Sequence, residues 1–345
     1  MSLAIRAKGV AVRAALRAAE LVPPSPVEGD HGAFMDPRVA VLWKVSALAN
    51  TPVHRLTAKA ARRDTREGIL AIDPGRPNGV TVTRLTVAGE PGTGLRNARL
   101  YTPDGLADGG ALFVWFHQGG YVVGGLDESD TWCANIAKHA RVRVLNVNYR
   151  HAPEHTFPAF SEDGYAAYLW ARSHAGSLGA DPERIAVGGA SAGANLTAGL
   201  GVRLRDAGEP LPIWQLMMYP LVDCLERGGS MQTQAECYPL DLAQVDWFHD
   251  TATPNVEDRT DLRISPMRAE SLAGLAPSLV VTAGFDPLRD QGRAFAERIV
   301  AEGGEAEHRC FETLPHSFHV MASVVPAAQQ ANTWVLAQIH KAIGG

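Results

Sequence analysis

Cysteine is scarce in this chain: Cys133, Cys224, Cys237 and Cys310 are the 4 in 345 residues, and no two form a C-x-x-C pair. So thin and scattered a set excludes a disulfide framework and a structural zinc site, and predicts free thiols. Long hydrophobic runs are also missing. No stretch approaches the roughly 18 uncharged apolar residues that a membrane-spanning helix needs. Between Met1 and Val22, Arg6, Lys8, Arg13 and Arg17 interrupt every apolar run, so this region lacks the core of a signal peptide and the default location is the cytoplasm. There is no excess of basic charge either. Lys and Arg total 32 against 37 Asp and Glu, a net charge of −5, with no basic run, which excludes nucleic acid as a partner. What the chain does have is apolar mass, 46% of residues hydrophobic and only 20% charged, enough for a large buried core. Its length suits about two domains, or one large α/β domain with an inserted lid.

From Ile5 to Leu21, Ile5, Val10, Val12, Ala15, Leu16, Ala19 and Leu21 recur at helical spacing among arginines. This predicts an amphipathic helix, suited either to packing on the rest of the chain or to lying on anionic lipid. A Pro/Gly-rich stretch (Pro23, Pro24, Pro26, Gly29, Gly32) and a second helical pattern, Pro37 to Ala60, complete a separable N-terminal element. Val80 to Val87 then alternates with period two, as does Arg96 to Tyr101 after a glycine-rich turn, which predicts a hairpin. Beyond it, apolar runs alternate with helical patterns: Ala111 to Phe116 with Glu128 to Ala140, Val142 to Asn148 with Ser161 to His174, and Ile185 to Gly188 with Ala192 to Asp206. Ile213 to Met218 follows, then Leu279 to Ala283 with Leu288 to Ala301, and Ala306 to Phe311 with Met321 to Ile343. Such alternation predicts a mostly parallel sheet with helices on both faces. Cys224 to Glu257 breaks the rhythm and is too long for a structureless loop, so it reads as an insertion over the ligand end of the sheet.

The chemistry concentrates where strands end. Arg184 to Gly188 runs into Gly189-Ala190-Ser191-Ala192-Gly193, a Gly-x-Ser-x-Gly sequence between an apolar strand and an Ala/Leu helix. A serine at such a turn sits on strained backbone, and glycines two residues to either side avoid collision, as a nucleophile elbow requires. Upstream, Ala111 to Phe116 ends in His117-Gln118-Gly119-Gly120-Tyr121, where consecutive glycines let backbone N–H groups point into a cavity as an oxyanion hole does. Asp286 follows the strand Leu279 to Ala283, and His316 follows the last one, completing the order Ser, Asp, His. Asp290, one helical turn on, and His319, three residues on, are the alternatives for acid and base.

These residues resemble the bacterial hormone-sensitive lipase family of α/β-hydrolases, also called family IV carboxylesterases, from about Ala111 to the C-terminus. The most specific likeness is Asn148-Tyr149-Arg150-His151-Ala152-Pro153-Glu154-His155-Thr156-Phe157-Pro158-Ala159, similar to the family's Asp-Tyr-Arg-Leu-Ala-Pro-Glu-His-x-Phe-Pro-Ala. By itself that stretch suggests His151 and His155 as a metal pair, but Pro153 spoils the i, i+4 geometry and a structural loop is the better reading. Asp286-Pro287-Leu288-Arg289-Asp290 and His316-Ser317-Phe318 resemble the motifs around the family's acid and base, which favours Asp286 over Asp290 and His316 over His319. The chain departs from the pattern at Gln118 in His-Gly-Gly-Gly, at Ala190 where Asp or Thr is usual, and at Ala194 and Ser317 in place of glycines.

The resemblance implies an α/β-hydrolase fold: an eight-stranded, mostly parallel sheet flanked by helices, with a helical cap. Residues 1–60 would form the N-terminal part of the cap, 61–223 the first part of the core, 224–257 the cap insertion and 258–345 the rest of the core. It implies a serine carboxylesterase for short- to medium-chain acyl esters, with catalytic Ser191, Asp286 and His316 and an oxyanion hole of Gly119, Gly120 and Ala192. Gln118, Tyr121, Val122, Trp247 and Phe248 are candidates for the substrate pocket. No metal or cofactor is expected, the partner is a small ester, and a homodimer is compatible with the reading. The same constellation also serves amide, lactone or thioester substrates and acyl transfer, and hydrolase folds lacking a complete triad serve as ligand receptors.

Overall fold

The computed structural model describes residues 3–21, 25–49 and 51–344. Met1, Val22, Pro23 and Pro24, and the side chains of Ala19 and Leu21, lie outside the described residues. Helix α1 spans Leu3–Leu21 and α2 Pro37–Ala49. The single helical pattern expected from Pro37 to Ala60 is in fact broken, because Pro52 precedes a one-turn 3₁₀ helix at Val53–Arg55 and a separate helix, α3, runs over Ala58–Ile72. Thr57 caps α3 by accepting a bond from the Ala60 N–H, so a new helix starts two residues before the boundary expected at 60. Lys8 on α1 reaches Asp64 and Glu67 on α3 at 3.0 and 3.3 Å, holding the N-terminal helices together.

The sheet begins with the hairpin β1 (Val80–Ala88) and β2 (Leu95–Pro103), followed by β3 (Gly110–Phe116), α4 (Asp130–Ala140), β4 (Arg143–Val147) and α5 (Ala159–His174). Next come β5 (Ala180–Ala190), α6 (Ala192–Ala207), β6 (Gln215–Met218), and the insertion with α7 (Ser230–Thr233) and α8 (Leu242–Ala252). The chain closes with β7 (Ser278–Phe285), α9 (Arg289–Ala301), β8 (Ala306–Pro315) and α10 (Pro326–Ile343). Strand order is β1-β2-β4-β3-β5-β6-β7-β8. β1–β2 and β2–β4 pair antiparallel and all other neighbours parallel. Helices cover both faces of the parallel part, so β4 and β7 are buried along their whole length and show no polar alternation, their few polar residues being buried as well.

Two expected boundaries move. The last helix begins at Pro326, not Met321, because Phe318–Met321 forms a separate 3₁₀ turn and proline suits a first helical position. Position 257 falls inside the 3₁₀ turn Val256–Thr260, capped by Asn255. The insertion is ordered by its own caps: Asp241 accepts from the Gln244 N–H at 2.7 Å to start α8.

The segment between α1 and α2 is tied to both the insertion and the core. Asp30 accepts bonds from Arg289 Nη1 at 2.6 Å and Nη2 at 2.9 Å, from Gln234 Nε2 at 2.8 Å and from the Thr233 hydroxyl, while His31 Nε2 lies 3.0 Å from the Glu312 carbonyl oxygen. The Arg289 guanidinium holds the Asp30 carboxyl far below the ordinary carboxylate range, burial opposing and Thr233 assisting. A carboxylate with a depressed folded pKa adds stability above its unfolded value, about 4, and loses it as pH falls. We therefore expect Asp30→Ala to lower the unfolding free energy by about 1 kcal/mol at pH 7, solvent screening limiting the pair. The deficit should shrink below about pH 4. Urea titrations at both pH values test this, and equal midpoints for the two proteins at pH 7 would contradict it.

Candidate active site

β5 delivers Ser191 to the carboxyl end of the sheet and α6 begins at the next residue. Ser191 has φ 53° and ψ −117°, a conformation side chains rarely adopt, costing roughly 1–3 kcal/mol. Its N–H is fixed to the Met218 carbonyl at 2.9 Å and its carbonyl accepts from the Asn195 N–H at 2.9 Å. The flanking glycines are sterically required. A Cβ on Gly189 would lie 2.2 Å from the Gly193 carbonyl carbon, and one on Gly193 would lie 2.0 Å from the Phe116 oxygen.

Asp286 and His316 converge on that serine. His316 Nε2 lies 2.9 Å from Ser191 Oγ, and His316 Nδ1 lies 2.7 Å from Asp286 Oδ2. Asp286 is fully buried and its Oδ1 accepts from the Leu288 N–H at 2.8 Å, so both oxygens are engaged and the carboxylate is fixed. With Nδ1–H donating to Asp286, the lone pair of Nε2 faces the serine hydroxyl, the arrangement of a general base. The alternatives sit elsewhere. Asp290 accepts from the Ser230 N–H and from Arg289 Nε, both at 2.9 Å, and so joins α7 to α9. The His319 ring bonds to the Tyr219 hydroxyl, and its backbone carbonyl accepts from Asn332 at 2.8 Å. Tyr219 escaped the sequence reading: at φ 39°, just past β6, its ring centroid lies 4.6 Å from that of His316. Only its place at the end of a buried strand could have signalled it.

The loop after β3 faces the same point. Gly119 (φ 135°) and Gly120 (φ 55°) have no room for a side chain, since a Cβ would lie 1.9 Å from the Val123 oxygen and 2.3 Å from the Phe248 ring respectively. The Gly119 carbonyl accepts from the N–H groups of Val122 and Val123 at 3.0 and 2.9 Å, which closes the turn. Among the described residues the N–H groups of Gly119 and Gly120 meet no protein acceptor, and the N–H of Ala192, in the first turn of α6, has no partner within that helix. Behind the loop lies the Asn148 to Ala159 segment. Tyr149 donates to the His117 carbonyl at 2.7 Å and stacks on its ring at 4.3 Å. Arg150 is held by the buried Asp163 at 2.9 Å and by Glu90 at 2.8 Å, and Arg62 donates to the Val122 and Ala152 carbonyls. The His151 ring packs edge-on against His117 and Tyr149, with centroids 5.3 Å apart in each case.

A cavity of about 600 Å³ opens onto Ser191 and His316, walled in part by Val12, Trp43, Ile69, Val245 and Phe248 from the N-terminal helices and α8. Gln118 and Tyr121 also reach it, although Tyr121 spends most of its surface on the Phe160 ring, 3.8 Å away, and on Asn195. Val122 and Trp247 are corrections. Among the described residues neither lines the cavity: Tyr121 turns at φ 64°, Val122 points into the core and is fully buried, and Trp247 packs behind Phe248 with ring centroids 5.1 Å apart.

The pattern of the alpha/beta hydrolase fold family matches residues 113–320. The chain belongs to this family, in its hormone-sensitive-lipase-like branch. It is 41% identical over 266 residues to the carboxylic ester hydrolase LipN of Mycobacterium tuberculosis, covering 75% of this chain and 69% of LipN. It is 34% identical to an ethyl acetate hydrolase of Pseudomonas putida, covering 84% of this chain and 92% of that one. Among solved structures, an ester hydrolase from the metagenome of Lake Arreo superposes with a TM-score of 0.83 at 33% identity, covering 88% of this chain and 96% of that one. The family resemblance thus extends from the local motifs to the fold over most of the chain.

Burial lowers the pKa of four histidines at or near the site: His117 and His249 to about 4, and His151 and His319 to about 3. Unfolded, each would bind a proton near pH 6.5, so between about pH 6.5 and 4 the unfolded chain holds more protons than the folded one. Stability should therefore fall on acidification through that window. Thermal melts at pH 7.5 and 5 should differ by several degrees, and coincident melts would refute neutral burial of these rings.

Proposed function

We propose that this carboxylic ester hydrolase works through an acyl-enzyme on Ser191, with Asp286 and His316 as its catalytic partners. The relay of 2.9 Å from Ser191 Oγ to His316 Nε2 and 2.7 Å from His316 Nδ1 to Asp286 carries the reading. As Ser191 Oγ attacks the ester carbonyl carbon, its proton passes to His316 Nε2, and ionised Asp286 stabilises the imidazolium. The carbonyl electrons move to oxygen, where the N–H groups of Gly119, Gly120 and Ala192 donate to the developing oxyanion. Collapse expels the alcohol, protonated by His316. Water, deprotonated by the same imidazole, then attacks the acyl-enzyme, and the acid leaves as Ser191 regains its proton.

The N-terminal helices and the insertion are proposed to act together as the cap, a reading supported by the helices that line the cavity from both segments. A cavity of about 600 Å³ suits an ester of short or medium acyl chain. The reading extends to a cytoplasmic enzyme, and among the described residues no helix is long and apolar enough to cross a membrane. It also extends to a homodimer, for which β8, an edge strand of the sheet, offers a self-pairing surface. Light scattering at the mass of a single 36.9 kDa chain would refute that assembly.

The deciding experiment is hydrolysis of p-nitrophenyl esters from acetate to palmitate, with Ser191→Ala and His316→Ala as companions. Activity should peak at short or medium chains, and each substitution should lower kcat by about 10⁴-fold or more. A fluorophosphonate should label Ser191. Near-wild-type turnover by either variant would overturn the assignment of that residue.

A further inference from the structure

Two of the chain's departures from its family pattern, Gln118 and Ser317, stand 199 residues apart in sequence and meet in space: the Ser317 hydroxyl donates to Gln118 Oε1 at 2.8 Å. We propose that this hydrogen bond is a positioning clasp, holding the loop of oxyanion donors in register with the loop that carries the catalytic base. The inference rests on the reading of Ser191, His316 and the Gly119–Gly120 donors given above. Gln118 immediately precedes Gly119, and Ser317 immediately follows His316, so the bond joins the two loops one residue from each functional group.

The backbone explains why side chains are present at both positions. Gln118 is not among the residues with positive φ, so a side chain is tolerated there, unlike at Gly119 and Gly120. Ser317 has φ 60° and ψ 19°, in the left-handed region where glycine is the unstrained choice. A non-glycine residue persists in such a conformation only when its surroundings fix it, and the Gln118 amide is the side-chain partner that does so. Ser317 and Gln118 both line the catalytic cavity, so the clasp spans the gap that the tetrahedral intermediate must bridge, between the imidazole on one side and the oxyanion donors on the other. Gln118 and Ser317 are therefore positioning residues, acting through Gly119 and His316, and neither needs to touch the ester.

The test is a double-mutant cycle on p-nitrophenyl butyrate. Gln118→Met keeps the side-chain length and removes the acceptor, while Ser317→Ala keeps the left-handed strain and removes the donor. Each single substitution should lower kcat roughly 3- to 10-fold with KM within twofold and a melting temperature lowered by no more than a few degrees, and the double variant should be no slower than the slower single. Multiplicative losses, losses in KM or melting temperature instead of kcat, or singles as fast as wild type would overturn the clasp. The glycine pair approaches the same question without added bulk: Gln118→Gly with Ser317→Gly should turn over at least as fast as Gln118→Gly alone, and slower turnover would count against the proposal. Ser191→Ala run alongside separates the two levels. If it is inactive and the cycle is additive, the clasp fails while the esterase reading stands; if it retains activity, that reading fails first.

Discussion

The reactive end of this molecule depends on one backbone constraint, the left-handed turn that carries Ser191 from β5 into α6. The turn is affordable only because both flanking residues are glycines and because Met218, on the next strand, accepts the serine N–H. Once the turn is made, its consequences are geometric. The hydroxyl stands clear of the sheet, the N–H of Ala192 is left without an intrahelical partner beside it, and parallel neighbours β3, β7 and β8 bring their own ends to the same edge. The proposed donor loop, acid and base then need only short excursions from strands already held in register. Relaxing the turn would withdraw the serine from all three at once.

A second layer supports the first. The Asn148 to Ala159 segment contributes no group to the proposed triad, yet its polar side chains brace the loop after β3 and the helix behind it. Tyr149 holds the His117 carbonyl and stacks on its ring, while Arg150 is locked by a fully buried Asp163. An ion pair so deep is costly to desolvate and costlier to break, which suits a brace better than a flexible contact. The segment's sequence is specific because its bonding is specific, with a donor or acceptor assigned at almost each position.

Much of this was legible in the sequence, for identifiable reasons. The strands of the parallel sheet stand out because burial on both faces removes polar alternation, and the elbow stands out because few residues other than glycine can flank it. Asp286 could be preferred to Asp290, and His316 to His319, from their distance to a strand end. The less legible parts lack such signals. α3 is rich in Arg, Lys, Asp and Glu, and its start is set by one threonine cap after a proline break, so the helical pattern expected from Pro37 to Ala60 runs across that break and stops short of the helix's end at Ile72. Val122 and Trp247 are apolar residues beside Tyr121 and Phe248, and nothing in the sequence tells a cavity wall from core at those positions. A single left-handed residue, Tyr121, reverses the chain and sends Val122 to the other side. Tyr219 has only its place after a buried strand to mark it, and the meeting of Gln118 with Ser317 is a tertiary fact with no local signature.

The Phe248 ring occupies the space above Gly120 that a side chain would otherwise fill. Phe248 belongs to α8, in the insertion, so the shelter over one proposed oxyanion donor is supplied by a different segment from the donor itself. Hydrogen bonds to a growing negative charge strengthen as water is excluded. The insertion thus bears on the proposed chemistry through packing: the apolar ring of Phe248, not a polar group, lies against Gly120 at the cavity wall. One aromatic contact therefore links a helix of the insertion to the loop after β3, so a change of side chain at position 248 reaches the site from a distant part of the chain.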